Sequence, residues 1–277
     1  MKSIFIGGSQ RSGTTMLQLL LCQCEQVNPM IHEAQILYAY VQAYRIGKSR
    51  FNIDGKDYFR DENAYLEFNR RWFEDFIESI SGMYSGLQYL VLKNPRLTRN
   101  FVELAELNDD MLFIVIVRDP RDVIASMIQV GHRLYKYDQS DTQAQLYMSR
   151  NISEMSKFFL SFYLPLFTEQ ASEMRSRLRI IRYENLVQNT SSVLLELGEF
   201  CGLNLSDIES AQVMDTGNFS LDKRTEYSKA WNSGYYGKAV DSSRIGRYKQ
   251  ELTQNEIAEV EKKCADFMLQ FVYFEHT

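Results

Sequence analysis

Apolar positions along the 277-residue chain recur with two different periods. Short apolar runs stand at residues 4–6, 88–92, 111–117 and 178–181. The third, from Met111 to Val117, is unbroken by any polar residue, the mark of a strand buried on both faces. Between these runs the apolar residues fall three and four apart. Leu17, Leu20, Leu21 and Cys24 do so, as do Tyr65, Phe68, Trp72, Phe73, Phe76, Ile77 and Ile80. The same spacing links Phe101, Leu104 and Leu107, then Val123, Ile124, Met127 and Ile128. It returns at Val193, Leu194, Leu197 and Cys201, and at Ile257, Val260, Cys264, Phe267, Met268 and Phe271. Each set predicts a helix with one apolar face.

Local signals punctuate this pattern. Asn28-Pro29 marks a turn, after which Ile31 to Ala34 lead into a helix expected to run through Tyr44. Residues 47–57 are polar and read as a surface loop. Asp119 suits an N-cap and Pro120 the first helical position. Residues 142–172 read as one long helical stretch bent near Pro165. Gly202 stops a helix, and Thr253 with Glu256 forms a capping box that opens the last one. Residues 215–243 are polar and aperiodic, and loops of that length tend to be functional. Strands alternating with helices predict an α/β fold, a parallel sheet flanked by helices. We expect one domain over residues 1–277. Its acceptor-side helical segment covers about residues 33–87, and a late nucleotide-covering loop about residues 215–248.

Composition narrows the function classes. A formal net charge of −5 argues against wholesale nucleic-acid binding, so any anion site must be built from local basic residues. The four cysteines show no zinc or disulfide spacing, and the three histidines no H-x-x-x-H pair, so no metal site is expected. The first strand begins at once, which leaves no room for a signal peptide. No apolar run reaches the length of a membrane span. These features place the chain in a reducing compartment, the cytoplasm.

The chemistry gathers at strand ends. The first strand breaks into Gly7-Gly8-Ser9-Gln10-Arg11-Ser12-Gly13-Thr14-Thr15 before a helix, an arrangement that aims backbone amides at a phosphate. Gly8 and Gly13 keep the G-x-x-x-x-G spacing of a P-loop, but Thr14 stands where the ATP-binding lysine belongs. The positive charge sits instead on Arg11, which with the Ser12, Thr14 and Thr15 hydroxyls suits a nucleotide's 5′-side phosphate. The second strand ends at Lys93, the third at Arg118 and the fourth at Tyr183. Ligands bind outside the carboxyl ends of such sheets, so four clusters share one edge. Ser126 lies eight residues after Arg118, close enough to converge on the same anion.

Taken in order, these motifs resemble the sulfotransferase family that uses 3′-phosphoadenosine 5′-phosphosulfate (PAPS). The match is closest to the branch of the protein-tyrosine and related bacterial enzymes. Arg11-Ser12-Gly13-Thr14-Thr15 is similar to the family's 5′-phosphosulfate loop. Arg118-Asp119-Pro120-Arg121 with Ser126 resembles its 3′-phosphate motif. Lys93-Asn94-Pro95 resembles its Lys-Asp-Pro, and Tyr183-Glu184-Asn185-Leu186 its Tyr-Glu-x-Leu. Lys238-x-Val240 through Arg247-Tyr248 matches the segment before the last helix.

The resemblance implies PAPS as donor and adenosine 3′,5′-bisphosphate (PAP) as product. It assigns Arg118 and Ser126 to the 3′-phosphate, Tyr183 to the adenine side and Lys238 to a phosphate. Arg11 and Lys93 would stabilise the charge of the leaving bisphosphate without a metal ion. Glu33 would be the general base for an alcohol or phenol acceptor, with His32 the next choice and a helix-start carboxylate the bland one. The family's arginine four residues after the serine is here Val130, so His132 or Arg133 would have to substitute. Arg244 and Arg247 are further cations of open role. The competing reading is a P-loop kinase or NTPase, against which Thr14 and the absence of a clear Mg²⁺-binding aspartate both count.

Overall fold

The computed structural model of the chain describes residues 1–84, 86–208, 231 and 239–274. Four parallel strands form its sheet: β1 (Lys2–Gly7), β2 (Tyr89–Lys93), β3 (Leu112–Val117) and β4 (Leu178–Arg182), in the order β2-β1-β3-β4. The parallel α/β architecture therefore follows the expectation. The chain leaves β1 toward β2 and then crosses to the opposite side for β3. The switch point thus falls between β1 and β3, the position where α/β sheets open a crevice for ligands.

Register explains how the sheet serves two cores. Ile4 stands beside Val91 and Leu112, while Phe5 stands beside Leu92 and Phe113. Successive side chains point to opposite faces. Ile4, Val91, Leu112, Ile114 and Ile116 accordingly pack on one side against α1 (Thr14–Leu21), α8 (Tyr183–Gln188) and α9 (Thr190–Cys201). Phe5, Leu92, Phe113, Val115 and Val117 face the other side. There they meet α2 (Gln35–Arg50), α3 (Glu62–Met83), α4 (Phe101–Leu107), α5 (Pro120–Leu134), α6 (Thr142–Met148) and α7 (Ile152–Leu160). All six residues of β3 are buried, as its unbroken apolar run requires. Each such side chain contributes about 1.5–3 kcal/mol of burial.

Three expected boundaries move. The helix expected from about residue 31 starts at Gln35 and runs past Tyr44 to Arg50, so the loop expected at 47–57 is helical at its start. Gly47 allows this, because a Cβ there would run into the Tyr65 hydroxyl of α3. The stretch 142–172 is not one helix. It breaks at Arg150, whose φ is 50°, and Asn151 caps α7 by accepting from the Glu154 amide. Pro165 then opens a 3-10 turn, Leu164–Phe167, where the bend was expected. The last apolar pattern likewise divides at Cys264 into Gln254–Lys263 and Ala265–Gln270. The Thr253–Glu256 capping box is present in full, and Asp119 caps α5 with Pro120 in its first turn.

No helix among the described residues is long and apolar enough to cross a membrane. Enclosure pushes the thiols of Cys22, Cys201 and Cys264 up to about 12, which removes them as nucleophiles at neutral pH.

Candidate active site

The loop between β1 and α1 is held from outside. The Gly8 amide donates to Thr98 Oγ1 (2.8 Å) and the Ser9 amide to the Tyr163 hydroxyl (2.9 Å). Inside the loop, Ser12 Oγ donates to the Ser9 carbonyl (2.7 Å). Gly13 precedes α1 with φ 106°, and a Cβ there would lie 2.7 Å from the Tyr183 ring. Only glycine meets both demands. The amides of Thr14, Thr15 and Met16 form the first turn of α1, where no intrahelical acceptor exists. Arg11 holds φ 72°, an uncommon conformation for a residue with a side chain, and of the kind that clusters at binding sites. Its Nε donates to Ser126 Oγ (3.1 Å) and its Nη1 to the Trp231 carbonyl (2.9 Å). The loop arginine and the α5 serine thus meet although 115 residues separate them.

Lys93 ends β2 next to this loop. It is 4% exposed, and its Nζ lies 2.7 Å from Glu33 Oε1 and 3.4 Å from Thr15 Oγ1. Glu33 itself is half-exposed. It stands immediately before the Ala34 N-cap of α2, whose first turn contains no acidic residue. The Ala34 amide donates to the Lys93 carbonyl (3.0 Å), which ties the two residues together through the backbone as well. Asn94 caps the 3-10 turn Pro95–Asn100 by accepting from the Arg96 amide. His32 is exposed.

The third cluster closes the β3 end. Arg118 is 4% exposed. Its guanidinium lies 4.2 Å over the Tyr183 ring and 3.6 Å from Asp122, and donates to the carbonyls of Arg11 (3.3 Å) and Arg244 (2.6 Å). Tyr183 is fully buried beneath it. Glu184, beside Tyr183, accepts from the Asp119 amide and from the Tyr273 hydroxyl, both at 3.0 Å, and so locks the β3 and β4 ends together. Burial pushes the Glu184 and Asp122 carboxyls up, while Arg118 pulls both down. Asp122 also accepts from the Gly246 (2.8 Å) and Tyr248 (3.0 Å) amides, fastening the late segment to α5.

Arg11, Ser12, Gly13, Thr14, Thr15, Glu33, Lys93, Arg118, Ser126 and Tyr183 therefore gather at the carboxyl edge of the sheet, as expected from strand ends. Lys238 lies outside the described residues. Val130 is fully buried in the core. Arg133 stands seven residues after Ser126, two turns along the same face of α5, whereas His132 points off that face. Partial enclosure and the like charge of Arg244 both push the Arg133 guanidinium below its ordinary value. Sequence reasoning missed Thr98, Tyr163 and Asp122. Thr98 sits five residues after Lys93 and Asp122 sits in the first turn of α5, so both had a positional signal. Tyr163 reaches the loop from 154 residues away and had none.

Asp119, the nearest aspartate for a Mg²⁺ role, pairs with the Arg121 guanidinium at 2.7 Å and caps α5. No group of histidine, cysteine and carboxylate side chains among the described residues is arranged to hold a metal ion.

Solved structures of several sulfotransferases share this fold. The sulfotransferase domain from the curacin biosynthetic pathway is 17% identical, with 95% of this chain and 96% of that one covered and a TM-score of 0.53. The sulfotransferase domain of the Synechococcus PCC 7002 olefin synthase is 16% identical, with 95% and 94% covered and a TM-score of 0.56. A sulfotransferase from Mycobacterium avium is 14% identical, with 97% and 76% covered and a TM-score of 0.50. No curated protein sequence matches the chain. Residues 3–207 match the model of the sulfotransferase family, a span that holds the loop, Glu33, Lys93, Arg118, Ser126 and Tyr183, and the chain belongs to that family.

Proposed function

We propose that residues 1–277 act as one catalytic domain that moves a sulfuryl group from PAPS to a hydroxyl of a small molecule, glycan or peptide. The observation that carries this reading is the Lys93–Glu33 pair at 2.7 Å, set against Thr15 beside an arginine-bearing loop. The donor set suits a bisphosphorylated nucleotide: a loop closed to side chains at Gly13, hydroxyls at Thr14 and Thr15, and guanidinium groups at Arg11 and Arg118, while the Ser12 hydroxyl donates inside the loop to the Ser9 carbonyl. PAPS would supply an activated sulfuryl group and a bisphosphate leaving group.

The chain's own residues would do the rest. The first-turn amides of α1 and Arg11 would hold the 5′ side. Arg118 and Ser126 would hold the 3′-phosphate, with Arg133 and Arg244 at its rim in place of the arginine lost at Val130. Tyr183 would keep the Arg118 guanidinium flat and in place through its ring face, a contact favourable for a cation. Lys93 would neutralise charge that develops on the leaving group, a contribution made mainly in the transition state. Glu33, half-exposed and held toward Lys93, would accept the acceptor's proton. Lys238 is retained as a phosphate contact from the late loop, and no metal ion is needed for these roles. A cytoplasmic location fits a chain with this cysteine usage.

Incubating the chain with sulfur-labelled PAPS and an acceptor panel of phenols, sugars and tyrosine peptides tests the reading. Label should move to at least one hydroxyl compound, and Glu33→Gln should slow that transfer by roughly 10²–10⁴-fold. A phosphorylated product formed from ATP instead would favour the kinase.

A further inference from the structure

Two arginines beside the loop are left unused by the proposed donor chemistry. Arg96 and Arg99 belong to the 3-10 turn that follows Lys93. Arg96 is exposed and reaches Gln143 Oε1 at 3.4 Å. Gln143 in turn donates to Gln10 of the loop, and Gln10 accepts from the Tyr147 hydroxyl at 2.7 Å. Arg99 is half-buried, with its guanidinium 4.1 Å over the Phe162 ring and 4.9 Å over Phe158. Its Nε is buried without a hydrogen-bond partner.

Neither arginine takes part in any ion pair among the described residues. The carboxylates of the site are committed elsewhere: Glu33 to Lys93, Asp122 to Arg118 and Asp119 to Arg121. The two charges also oppose each other. Burial, with Arg96 added to it, pushes the Arg99 guanidinium below its ordinary value. A half-buried cation with a like charge beside it and no counter-ion among the described residues is costly to keep. An anion bound by the two guanidinium groups would offset that cost with charge-assisted hydrogen bonds.

The place of the pair says which anion. Arg96 is three residues past Lys93 in the chain, so the two backbones lie within about 11 Å of each other. Tyr38 belongs to α2, on the Glu33 side, and the rings of Phe158 and Phe162 supply an apolar wall. Arg11, Arg118 and the α1 amides are already assigned to the donor. We infer that Arg96 and Arg99 form an acceptor subsite that recognises an anionic group, a carboxylate or sulfate, carried by the same molecule as the hydroxyl to be sulfated. This rests on the sulfotransferase reading of Lys93 and Glu33.

Titration calorimetry on the full chain separates the two claims. 4-Hydroxyphenylacetate serves as the anionic probe and 4-hydroxyphenylethanol as its neutral match, each with and without saturating adenosine 3′,5′-bisphosphate. The anion is expected to bind the wild type at least about tenfold more tightly than the alcohol. Arg96→Gln should reduce that preference, Arg96→Gln with Arg99→Gln should abolish it, and Arg99→Lys should retain part of it. Equal affinity for the two probes in the wild type, or binding of neither, overturns the subsite. So does a double variant that keeps the preference and loses bisphosphate affinity, because the arginines then serve the donor. Failure of the bisphosphate to bind the wild type would sink the donor reading alone. The titrations without bisphosphate still decide the subsite.

Discussion

Arg11 shows how a single residue can join two phosphate sites. Its positive φ turns the side chain out of the loop and onto Ser126, while its carbonyl accepts from Arg118. Gly13, two residues on, has the tighter constraint, since both its φ of 106° and the Tyr183 ring exclude a side chain. Gly13→Ala should destabilise the fold by about 1–3 kcal/mol and displace Tyr183 from beneath Arg118. Urea denaturation would read the first effect and bisphosphate affinity the second. An alanine variant with unchanged values of both would show that the loop relaxes freely. Lys93 offers a sharper test of role. Lys93→Ala should lower kcat by much more than it weakens bisphosphate binding. Equal losses in both would make Lys93 a ground-state phosphate anchor.

At the scale of elements, stability is concentrated where helices begin. The capping box at Thr253 and Glu256 is tied to the break between α6 and α7 by Arg150, whose guanidinium lies 2.8 Å from Glu256 Oε2. The hydrogen bonds from Arg150, and behind them those from Thr253, hold the Glu256 carboxyl down at about 2. A carboxyl depressed on folding contributes stability above its unfolded value near 4.5, and that contribution is lost as pH falls toward 2. Glu256→Gln should therefore cost about 1–2 kcal/mol at pH 7, with the gap to wild type narrowing below about pH 4.5 and closing only as pH falls to about 2. Urea midpoints across that range would check it; a gap independent of pH would mean the carboxylate charge is irrelevant.

The same scale shows what the sequence could and could not reveal. Periodicity located β3 and the face of α5 because both are buried along their whole length. Local caps located the starts of α5 and of the last helical segment because their partners lie within three residues. The break at Arg150 escaped, since its signal is a positive φ that the residue type does not announce. The continuation of α2 to Arg50 escaped because Gly47 reads as a breaker until the Tyr65 hydroxyl is seen against it.

Over the whole molecule, strand order turns separate motifs into one site. β1 lies between β2 and β3, so the loop after β1 is flanked by Lys93 on one side and Arg118 on the other. The motifs at each strand end were legible, and so was their common edge. Their supports were not. Tyr163, Thr98, Glu184 and Asp122 hold the loop, the β3 end and the late segment by hydrogen bonds across 47 to 154 residues of chain. Such long-range contacts leave no local pattern. If this network serves donor binding, Arg118→Ala and Ser126→Ala should each weaken adenosine 3′,5′-bisphosphate binding, with Arg118→Ala losing at least about tenfold and the fold intact by circular dichroism.

Side-by-side titration calorimetry on the wild-type chain tests the donor site most directly. Adenosine 3′,5′-bisphosphate and ATP with Mg²⁺ are titrated separately under one buffer condition. A site built from Arg11, Arg118 and Ser126, with Thr14 in place of a P-loop lysine, should bind the bisphosphate at least about tenfold more tightly than the triphosphate. Tighter binding of ATP with Mg²⁺, or no binding of the bisphosphate, would contradict the account.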